Sequence, residues 1–315
     1  MERLTDSIQN EVNRVILGKQ EVVRKVLLAI LARGHVLLED VPGVGKTTLA
    51  AAFAKTLGLA SRRVQFTSDT LPSDIIGFSV YDKQNGALQY QPGAIMTNLL
   101  LADEINRTSS KTQSALLEAM EERQVTLDGA THPLPKPFVV LATQNPVGSA
   151  GTQLLPVAQL DRFLLRLRIG YPDLKNQVEL MKDRHHENPL HTCRTVADSA
   201  VLEQSMAEAM EVYVSDAVYT YVAELAEETR KDEDVLLGLS PRAALAICQA
   251  AKAGAYLDGR DYVTPDDVAL LLKDVAAHRL VLSAKARLHE RTAEQVLEDA
   301  LARVQAPEVR ELSFS

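Results

Sequence analysis

At 315 residues the chain is long for a single hydrophobic core, so two domains are expected. Its composition, 46% hydrophobic and 24% charged, is ordinary for a globular protein. A formal net charge of −8 argues against a nucleic-acid binder held by a general positive field, and aromatic residues at 4% without tryptophan argue against base stacking.

The N-terminal residues lack the basic and then apolar segments of a signal peptide, and the apolar run at residues 26–32 is too short to span a bilayer. The chain has two cysteines, Cys193 and Cys248, so a disulfide framework is not expected. We therefore expect a cytoplasmic protein without a membrane span.

The first part of the chain alternates helical and strand patterns. Residues 7–33 have helical apolar spacing with a break at residues 17–19, and residues 113–123 predict another helix. Apolar runs predict strands at residues 36–38, 64–66, 98–104, 138–143 and 164–169. Because most of these runs are unbroken and helices lie between them, they predict a parallel sheet covered on both faces.

Two hairpin signals interrupt this alternation. Asn85-Gly86 lies between the alternating runs of residues 77–90, and Asp128-Gly129 lies within residues 124–133. Because both occur between elements of an α/β core, we interpret them as insertions. From the residues alone, surface hairpins without a role are the alternative interpretation.

The chain becomes polar and less patterned after residue 188, where we place the domain boundary. This predicts an α/β domain over residues 1–188 and a small all-α domain over residues 189–315. Helical patterns in the second domain cover residues 216–230, 241–257, 265–278 and 293–304. Ser240-Pro241 and Thr264-Pro265 are each typical of a helix N-cap followed by proline.

A turn rich in proline and glycine follows the first strand and leads directly into a helix, as in a phosphate-binding loop. Gly43 and Gly45 would let the backbone approach a polyphosphate with its N–H groups. Lys46 would bridge the β- and γ-phosphates, and the Thr47 hydroxyl would hold Mg²⁺. The alternative interpretation is an ordinary strand–helix turn.

Two carboxylates end the strand at residues 98–104. Asp103 would hold the metal, usually through water, and Glu104 would polarise the water that attacks ATP. An Asp-Glu pair after a strand is common on protein surfaces, but the phosphate-loop pattern earlier in the chain favours a nucleotide-hydrolysis site.

Five motifs occur in the order seen in AAA+ ATPases: GVGKT at 43–47, DEINR at 103–107, TQNP at 143–146, LDRF at 160–163 and SPR at 240–242. The sequences of these motifs are similar to those of the MoxR family, which is related to the magnesium-chelatase ATPase subunit. The resemblance covers about residues 10–280. It implies a P-loop AAA+ sheet with helices on both faces, two β-hairpin insertions and an all-α lid domain. It also implies that the hairpins at residues 77–90 and 124–133 contact a client protein, as similar hairpins do in related rings. Asp40, where the strict loop pattern has glycine, is then a family-like variant.

The resemblance implies roles for three further residues. Asn145 resembles sensor 1, whose amide would bond the γ-phosphate or the water, and otherwise it belongs to an Asn-Pro turn. Arg162 resembles the arginine finger given to a neighbour's nucleotide, and otherwise it is a surface ion-pair partner of Asp161. Arg242 resembles sensor 2 and would contact the phosphates, and otherwise it is a solvated arginine at a helix start.

The remaining nucleotide contacts also follow from the resemblance. The family packs adenine where this chain has Ile16, Leu17 and Gly18. The phosphate loop adds three more residues to the expected nucleotide site: Pro42, Val44 and Thr48.

The resemblance thus predicts an ATPase that uses ATP/ADP and Mg²⁺ to remodel or mature a partner protein. It also implies a nucleotide-dependent ring, with a hexamer as the expected state. Chaperone-like maturation, metal-cofactor insertion and a partner with a von Willebrand factor A domain are implied by analogy. The alternative is a nucleotide-gated module acting on DNA, like other AAA+ proteins with a helix-2 insert. A zinc site at His185, His186, His191 and Cys193 is a weaker hypothesis, because the ligand spacing is incomplete.

Overall fold

The computed structural model describes residues 3–41, 43–145, 155–183 and 189–308. Its contacts divide the chain into two compact units. Unit 1 comprises Met1–Leu155 and Leu167–Gln204, and unit 2 comprises Pro156–Arg166 and Ser205–Ser315.

Up to β9, strands and helices alternate apart from the two hairpins, and after β9 the chain is mainly helical. In chain order they are α1 (Leu4–Val15), α2 (Gln20–Leu31), β1 (Val36–Glu39), α3 (Lys46–Thr56), β2 (Ser61–Gln65), α4 (Pro72–Ile76), β3 (Gly77–Asp82), β4 (Ala87–Pro92), β5 (Leu99–Asp103), α5 (Ser110–Glu122), β6 (Gln124–Leu127), β7 (Ala130–Pro133), β8 (Val139–Gln144), α6 (Val157–Leu160), β9 (Leu165–Leu167), α7 (Leu174–Asp183), α8 (Pro189–Thr192), α9 (Ser199–Glu211), α10 (Asp216–Lys231), β10 (Val235–Leu237), α11 (Pro241–Leu257), α12 (Pro265–Ala276), β11 (Val281–Leu282), α13 (Ala284–Leu288) and α14 (Ala293–Arg303).

The central sheet has five strands in the order β2-β5-β8-β1-β9. The pairs β2–β5, β5–β8 and β8–β1 are parallel, and every residue of β1, β5 and β8 is buried. Because parallel strands end at one edge of a sheet, the residues that follow β1, β5 and β8 are brought together there. The predicted α/β sheet is therefore confirmed, and its carboxyl edge positions the site.

Both predicted hairpins are formed. β3 pairs antiparallel with β4, and β6 pairs antiparallel with β7. The turn of the second hairpin places Asp128 and Gly129 at φ angles of 48° and 79°, the left-handed region that Asp-Gly turns favour. The two hairpins contact each other through the stacked rings of Tyr90 and His132, whose centroids lie 3.9 Å apart.

Unit 2 is mainly helical. The predicted N-caps are formed, since Ser240 Oγ accepts the Ala243 N–H at 3.1 Å and Thr264 makes a reciprocal capping box with Asp267. The helical patterns did not predict the short antiparallel pair of β10 and β11. With three and two residues, these strands are too short to leave a periodic signal in the sequence.

The division between the units falls after Gln204, within α9 and later than the predicted boundary at residue 188. Residues 189–204 belong to unit 1 because they hydrogen-bond with it. Thr56 and Lys55 are among the partners: Thr56 Oγ1 lies 3.2 Å from Cys193 Sγ, and Lys55 Nζ donates to the Leu190 carbonyl at 2.7 Å. The polar stretch after residue 188 therefore belongs to unit 1, and the passage from unit 1 to unit 2 comes later, after Gln204.

A buried histidine directly before β1, His35, is expected to make the stability of the fold sensitive to acid. His35 Nδ1 accepts the Val140 N–H at 3.0 Å, and its Nε2 lies 3.3 Å from the Met120 carbonyl. Burial and the nearby Arg123 charge lower the pKa of His35 to about 3. The unfolded chain binds a proton at this residue below about pH 6.5, whereas the folded chain does not, so the free energy of unfolding falls by about 1.4 kcal/mol per pH unit between these values.

We expect urea unfolding to show this dependence. Between pH 7.5 and 5.0, His35 should cost the wild-type chain about 2 kcal/mol of unfolding free energy. The His35→Gln variant should be less stable at pH 7.5 and should lose less on acidification, because glutamine does not titrate. His278, whose pKa burial also lowers, is present in both proteins and cancels in the comparison. Equal pH dependence of the two proteins would contradict the assignment.

Candidate active site

The loop after β1 has the backbone of a phosphate-binding loop. Gly43 and Gly45 have φ angles of 87° and 94°, and α3 begins at Lys46. A Cβ atom added to either glycine would meet no other atom within 4 Å. Glycine is therefore needed for the left-handed backbone, and the space over the loop is open. Pro42 lies outside the described residues.

The ammonium of Lys46 lies over this loop and close to the predicted carboxylates. Its Nζ donates to the carbonyl oxygens of Asp40, at 2.8 Å, and Val41, at 3.2 Å. Burial lowers the pKa of Lys46, and the charges of Asp103, Asp40 and Glu104 oppose that shift. Two stretches that are far apart in the sequence thus converge on one patch of unit 1.

Thr143, at the end of β8, joins the two carboxylate residues. Its hydroxyl donates to Asp103 Oδ1 at 2.6 Å and accepts the backbone N–H of Glu104 at 2.9 Å. Arg63 on β2 donates to the other carboxylate oxygen of Asp103 at 2.8 Å. The Asp103 carboxylate is therefore fixed in direction by bonds from the strands on both sides of β5.

Glu104 is held at the same edge by its backbone and its side chain. Its φ of 57° lies in the left-handed region, which costs a residue other than glycine about 1–3 kcal/mol and is often found at functional sites. Its Oε2 accepts hydrogen bonds from Gln65 at 2.9 Å and Arg107 at 2.8 Å. The carboxylate therefore has a defined position close to Lys46.

Asn145, the predicted sensor 1 residue, follows β8 at this edge. Its backbone oxygen accepts a hydrogen bond from Asn106 Nδ2 at 3.3 Å, and Asn106 is itself buried. Asn145 therefore follows the strand next to the one that ends at Asp103. Its role toward a γ-phosphate stays a prediction.

A cavity of about 370 Å³ adjoins the phosphate loop within unit 1. Its lining is mainly apolar, which suits the base of a nucleotide. It is lined by Val15, Ile16, Leu17, Lys19, Gly43, Val44, Gly45, Thr48, Pro172, Gln177, Leu180 and Met181. Ile16 and Leu17, two of the residues predicted to pack adenine, thus share one cavity with four residues of the phosphate loop. The other predicted residues Gly18, Lys46 and Thr47 are not among its lining residues.

Gly18 stands beside this cavity in a left-handed backbone position that favours glycine. Its φ is 69°, and an added Cβ would overlap the Asn176 side chain on α7. The predicted helix break at residues 17–19 is therefore the place where α7 approaches the N-terminal helices. The adenine contact itself stays a prediction.

Comparisons with known proteins agree with this geometry. Residues 35–165 match the ATPase family associated with various cellular activities (AAA), and residues 227–300 match the AAA lid domain. A crystal structure of a protein from Cytophaga hutchinsonii shares 36% sequence identity and a TM-score of 0.90, covering 97% of this chain and 95% of that one.

The chain is 46% identical to YeaC of Bacillus subtilis, over 94% of this chain and 92% of that protein. It is 41% identical to chaperone MoxR1 of Mycobacterium tuberculosis, over 95% of this chain and 81% of that protein. The chain belongs to the MoxR family of AAA+ ATPases. The resemblance inferred from its five motifs is therefore confirmed, and these comparisons do not favour the DNA-acting alternative.

The residues of this MoxR-family site fit a magnesium nucleotide. The open space over the two loop glycines can take phosphates, and Lys46 supplies a cation beside them. The Thr47 side chain is exposed at the start of α3, and Asp103 presents its carboxylate nearby to Lys46. Hydroxyl and carboxylate oxygens are ligands that Mg²⁺ prefers.

Arg162, the predicted finger, and Arg242, the predicted sensor 2, both lie in unit 2. Asp161, next to Arg162 in sequence, forms ion pairs with two arginines. Asp161 pairs with Arg279 at 2.6 Å and with Arg242 at 3.4 Å. Arg162 Nη1 donates to the Ala158 carbonyl at 2.9 Å, and its Nε has no hydrogen-bond partner among the described residues. The alternative of an Asp161–Arg162 ion pair is therefore not what the structure forms.

Sequence reasoning missed several residues that build this site. Arg63, Gln65 and Arg107 hold the two carboxylates, and Thr143 joins them. The spacing of three residues between Glu104 and Arg107 could have indicated their ion pair, because side chains three apart on a helical turn are neighbours. The β2 residues left none, because they meet their partners only when the sheet is assembled.

The zinc hypothesis gains no support in the described part of the chain. His185 and His186 lie outside it, and no group of three or more His, Cys, Asp or Glu side chains within it could hold a metal. Cys193 is buried beside the Thr56 hydroxyl, which accounts for it as a core residue. Among the described residues, none of the helices combines the length and apolarity that crossing a bilayer requires.

Proposed function

We propose that this MoxR-family chain binds Mg-ATP at the loop after β1 and hydrolyses it. The observation that carries this proposal is the convergence of Lys46 with Asp103 and Glu104 over an open glycine loop. An isolated phosphate-loop pattern would not need two carboxylates beside its lysine, whereas phosphoryl transfer to water needs both a metal anchor and a water-orienting group.

Each residue then has a defined task. Gly43 and Gly45 would present backbone N–H groups to the phosphates, and Lys46 would bind the β- and γ-phosphate oxygens. Thr47 and Asp103 would hold Mg²⁺, which when bound neutralises charge on the phosphates. Glu104 would orient and polarise the attacking water.

Asn145 would bond the water or the γ-phosphate from its position after β8, next to the strand that carries Asp103. Arg162 of a neighbouring subunit would approach the γ-phosphate as a finger, and Arg242 would contact the phosphates and couple the lid to the nucleotide state. These assignments rest on the family motifs and on the positions of the motif residues.

We further propose that hydrolysis serves to remodel or mature a partner protein. The chain is 41% identical to a protein named as a chaperone, and its first hairpin exposes the apolar side chains Phe78, Tyr81 and Leu88. A nucleotide-dependent ring, expected to be a hexamer in the cytoplasm, would move these hairpins. Metal-cofactor insertion and a partner with a von Willebrand factor A domain are the family-based expectations for the client system.

Nucleotide binding by Lys46→Ala tests the site directly. Removing the ammonium takes away the cation that lies over the loop, so we expect Mg-ADP and Mg-ATP binding to be lost, with affinity reduced by about a hundredfold or more. Isothermal titration calorimetry measures this, and circular dichroism verifies the fold. Lys111→Ala, an exposed lysine on α5, is the matched control and should bind like wild type. Wild-type affinity in Lys46→Ala would overturn the proposed site.

A further inference from the structure

The side chain of Asp40 connects the phosphate loop to a distant part of unit 1. Its Oδ1 accepts the Val41 N–H at 2.8 Å, within the loop itself. Its Oδ2 accepts two more backbone N–H groups, from Ile169 at 2.8 Å and Gly170 at 2.6 Å. Asp40 is buried, so these bonds are largely shielded from water.

The chain that Asp40 holds continues into residues that line the same cavity as the phosphate loop. We call residues 169–181 the base-side segment. It contributes Pro172, Gln177, Leu180 and Met181 to the cavity lining. Because Ile169 and Gly170 begin this segment, the Asp40 carboxylate fixes where the segment starts relative to the phosphate loop.

The base-side segment is also fixed to the N-terminal helices. Lys19 Nζ donates to the Tyr171 carbonyl at 2.9 Å, and Asn176 lies against Gly18. The cavity is therefore built from three stretches of chain, and Asp40 is the side chain that hydrogen-bonds the phosphate loop to the base-side segment.

We propose that Asp40 is a positioning residue for the nucleotide: it couples the phosphate loop to the base-side segment, so that polyphosphate and base are held in one fixed spacing. The inference rests on the proposed function, since it concerns the same nucleotide site. It assigns a task to the residue that stands where the strict loop pattern has glycine. A glycine there would leave the N–H groups of Ile169 and Gly170 without this acceptor.

The substitution Asp40→Gly separates this proposal from the view that Asp40 is a tolerated variant of the pattern. If Asp40 positions the nucleotide, Asp40→Gly should raise the Kd for Mg-ADP and the KM for ATP by about tenfold or more, with kcat changed less than about threefold. Only the spacing of the binding groups changes, because Lys46 and the two carboxylates remain. A merely structural loss would lower kcat or the melting temperature and leave KM unchanged.

The conservative variant Asp40→Asn tests the bonds themselves. Its amide oxygen can still accept the N–H groups of Ile169 and Gly170, and only the bond from Val41 is lost. We therefore expect Kd and KM within about threefold of wild type. Asp128→Asn, which removes the same charge at a hairpin turn that asparagine tolerates, should leave both constants unchanged.

Amide hydrogen exchange gives a readout that does not depend on nucleotide. Ile169 and Gly170 should exchange slowly in wild type and in Asp40→Asn, and about tenfold faster or more in Asp40→Gly. If Asp40→Gly does not fold, fast exchange at these two amides in the wild-type chain would overturn the proposal. A folded Asp40→Gly with wild-type Kd and KM would also overturn it. Failure of the wild-type chain to bind Mg-ADP would instead overturn the proposed function.

Discussion

Replacing Glu104 by glutamine is expected to reduce ATP turnover by about 10²- to 10⁴-fold, the range for loss of a general base, while ATP remains bound. The carboxylate can accept a proton from the water molecule as the water attacks, whereas a neutral amide cannot. The effect should therefore fall on kcat, with the Kd for Mg-ATP close to that of the wild-type chain.

The surroundings of Glu104 make this a clean substitution. Its Oε2 accepts hydrogen bonds from Gln65 and Arg107, and the amide oxygen of a glutamine can accept both. The left-handed backbone at this position is unaffected, because it is held through the Glu104 N–H by Thr143. The variant should thus differ from wild type in its chemistry far more than in its fold.

Phosphate release and the nucleotide content of the purified protein measure the two halves of this prediction. Glu104→Gln should retain ATP after incubation with Mg-ATP, whereas the wild-type chain should retain ADP. Glu118→Gln, an exposed glutamate on α5, is the matched control and should turn over normally. Normal hydrolysis by Glu104→Gln would remove this residue from its role.

The interior of the sheet and its turns were predictable from the sequence because their signals are local. β1, β5 and β8 are buried along their whole length, so they appear as unbroken apolar runs. The second hairpin is fixed by the left-handed preference of Asp128-Gly129. The position of Asp103 after a buried strand then followed from the rule that binding groups collect at the carboxyl ends of parallel strands.

The edge of the sheet was predicted less well. β2 covers Ser61–Gln65, whereas the apolar pattern indicated residues 64–66. As an edge strand, β2 exposes most of its side chains, so it needs few apolar residues and can carry arginines. Its charged and polar residues, Arg63 and Gln65, are those that hold Asp103 and Glu104.

The contacts of Asp40 show a second limit. Its partner Ile169 lies 129 positions further along the chain, so no periodicity or turn pattern connects the two. From the sequence alone, Asp40 is a departure from the loop pattern. Only the assembled sheet, in which β9 lies beside β1, shows that the Asp40 carboxylate accepts hydrogen bonds from backbone N–H groups after β9.

Replacing Arg162 by alanine is expected to lower ATP turnover by about 10³-fold or more, the range found for arginine fingers, with nucleotide affinity largely intact. In the structure Arg162 Nη1 donates to the Ala158 carbonyl at 2.9 Å, so a finger role would replace this bond by one to a neighbour's nucleotide. Asp161, its neighbour in sequence, pairs with Arg279 and Arg242 instead, and Arg162 Nε has no hydrogen-bond partner among the described residues. Arg287→Ala, an exposed arginine on α13, is the matched control and should retain activity.

A mixing experiment decides whether Arg162 acts on a neighbouring subunit. Lys46→Ala subunits cannot bind nucleotide but keep Arg162, whereas Arg162→Ala subunits bind nucleotide but lack the finger. In a randomly mixed ring at equal amounts, about a quarter of the interfaces pair an intact Lys46 with an intact Arg162 of the next subunit. Turnover should therefore rise from near zero in each variant alone to a clear fraction of the wild-type rate. A mixture that forms rings and stays inactive would mean that Arg162 does not complete the site of a neighbour.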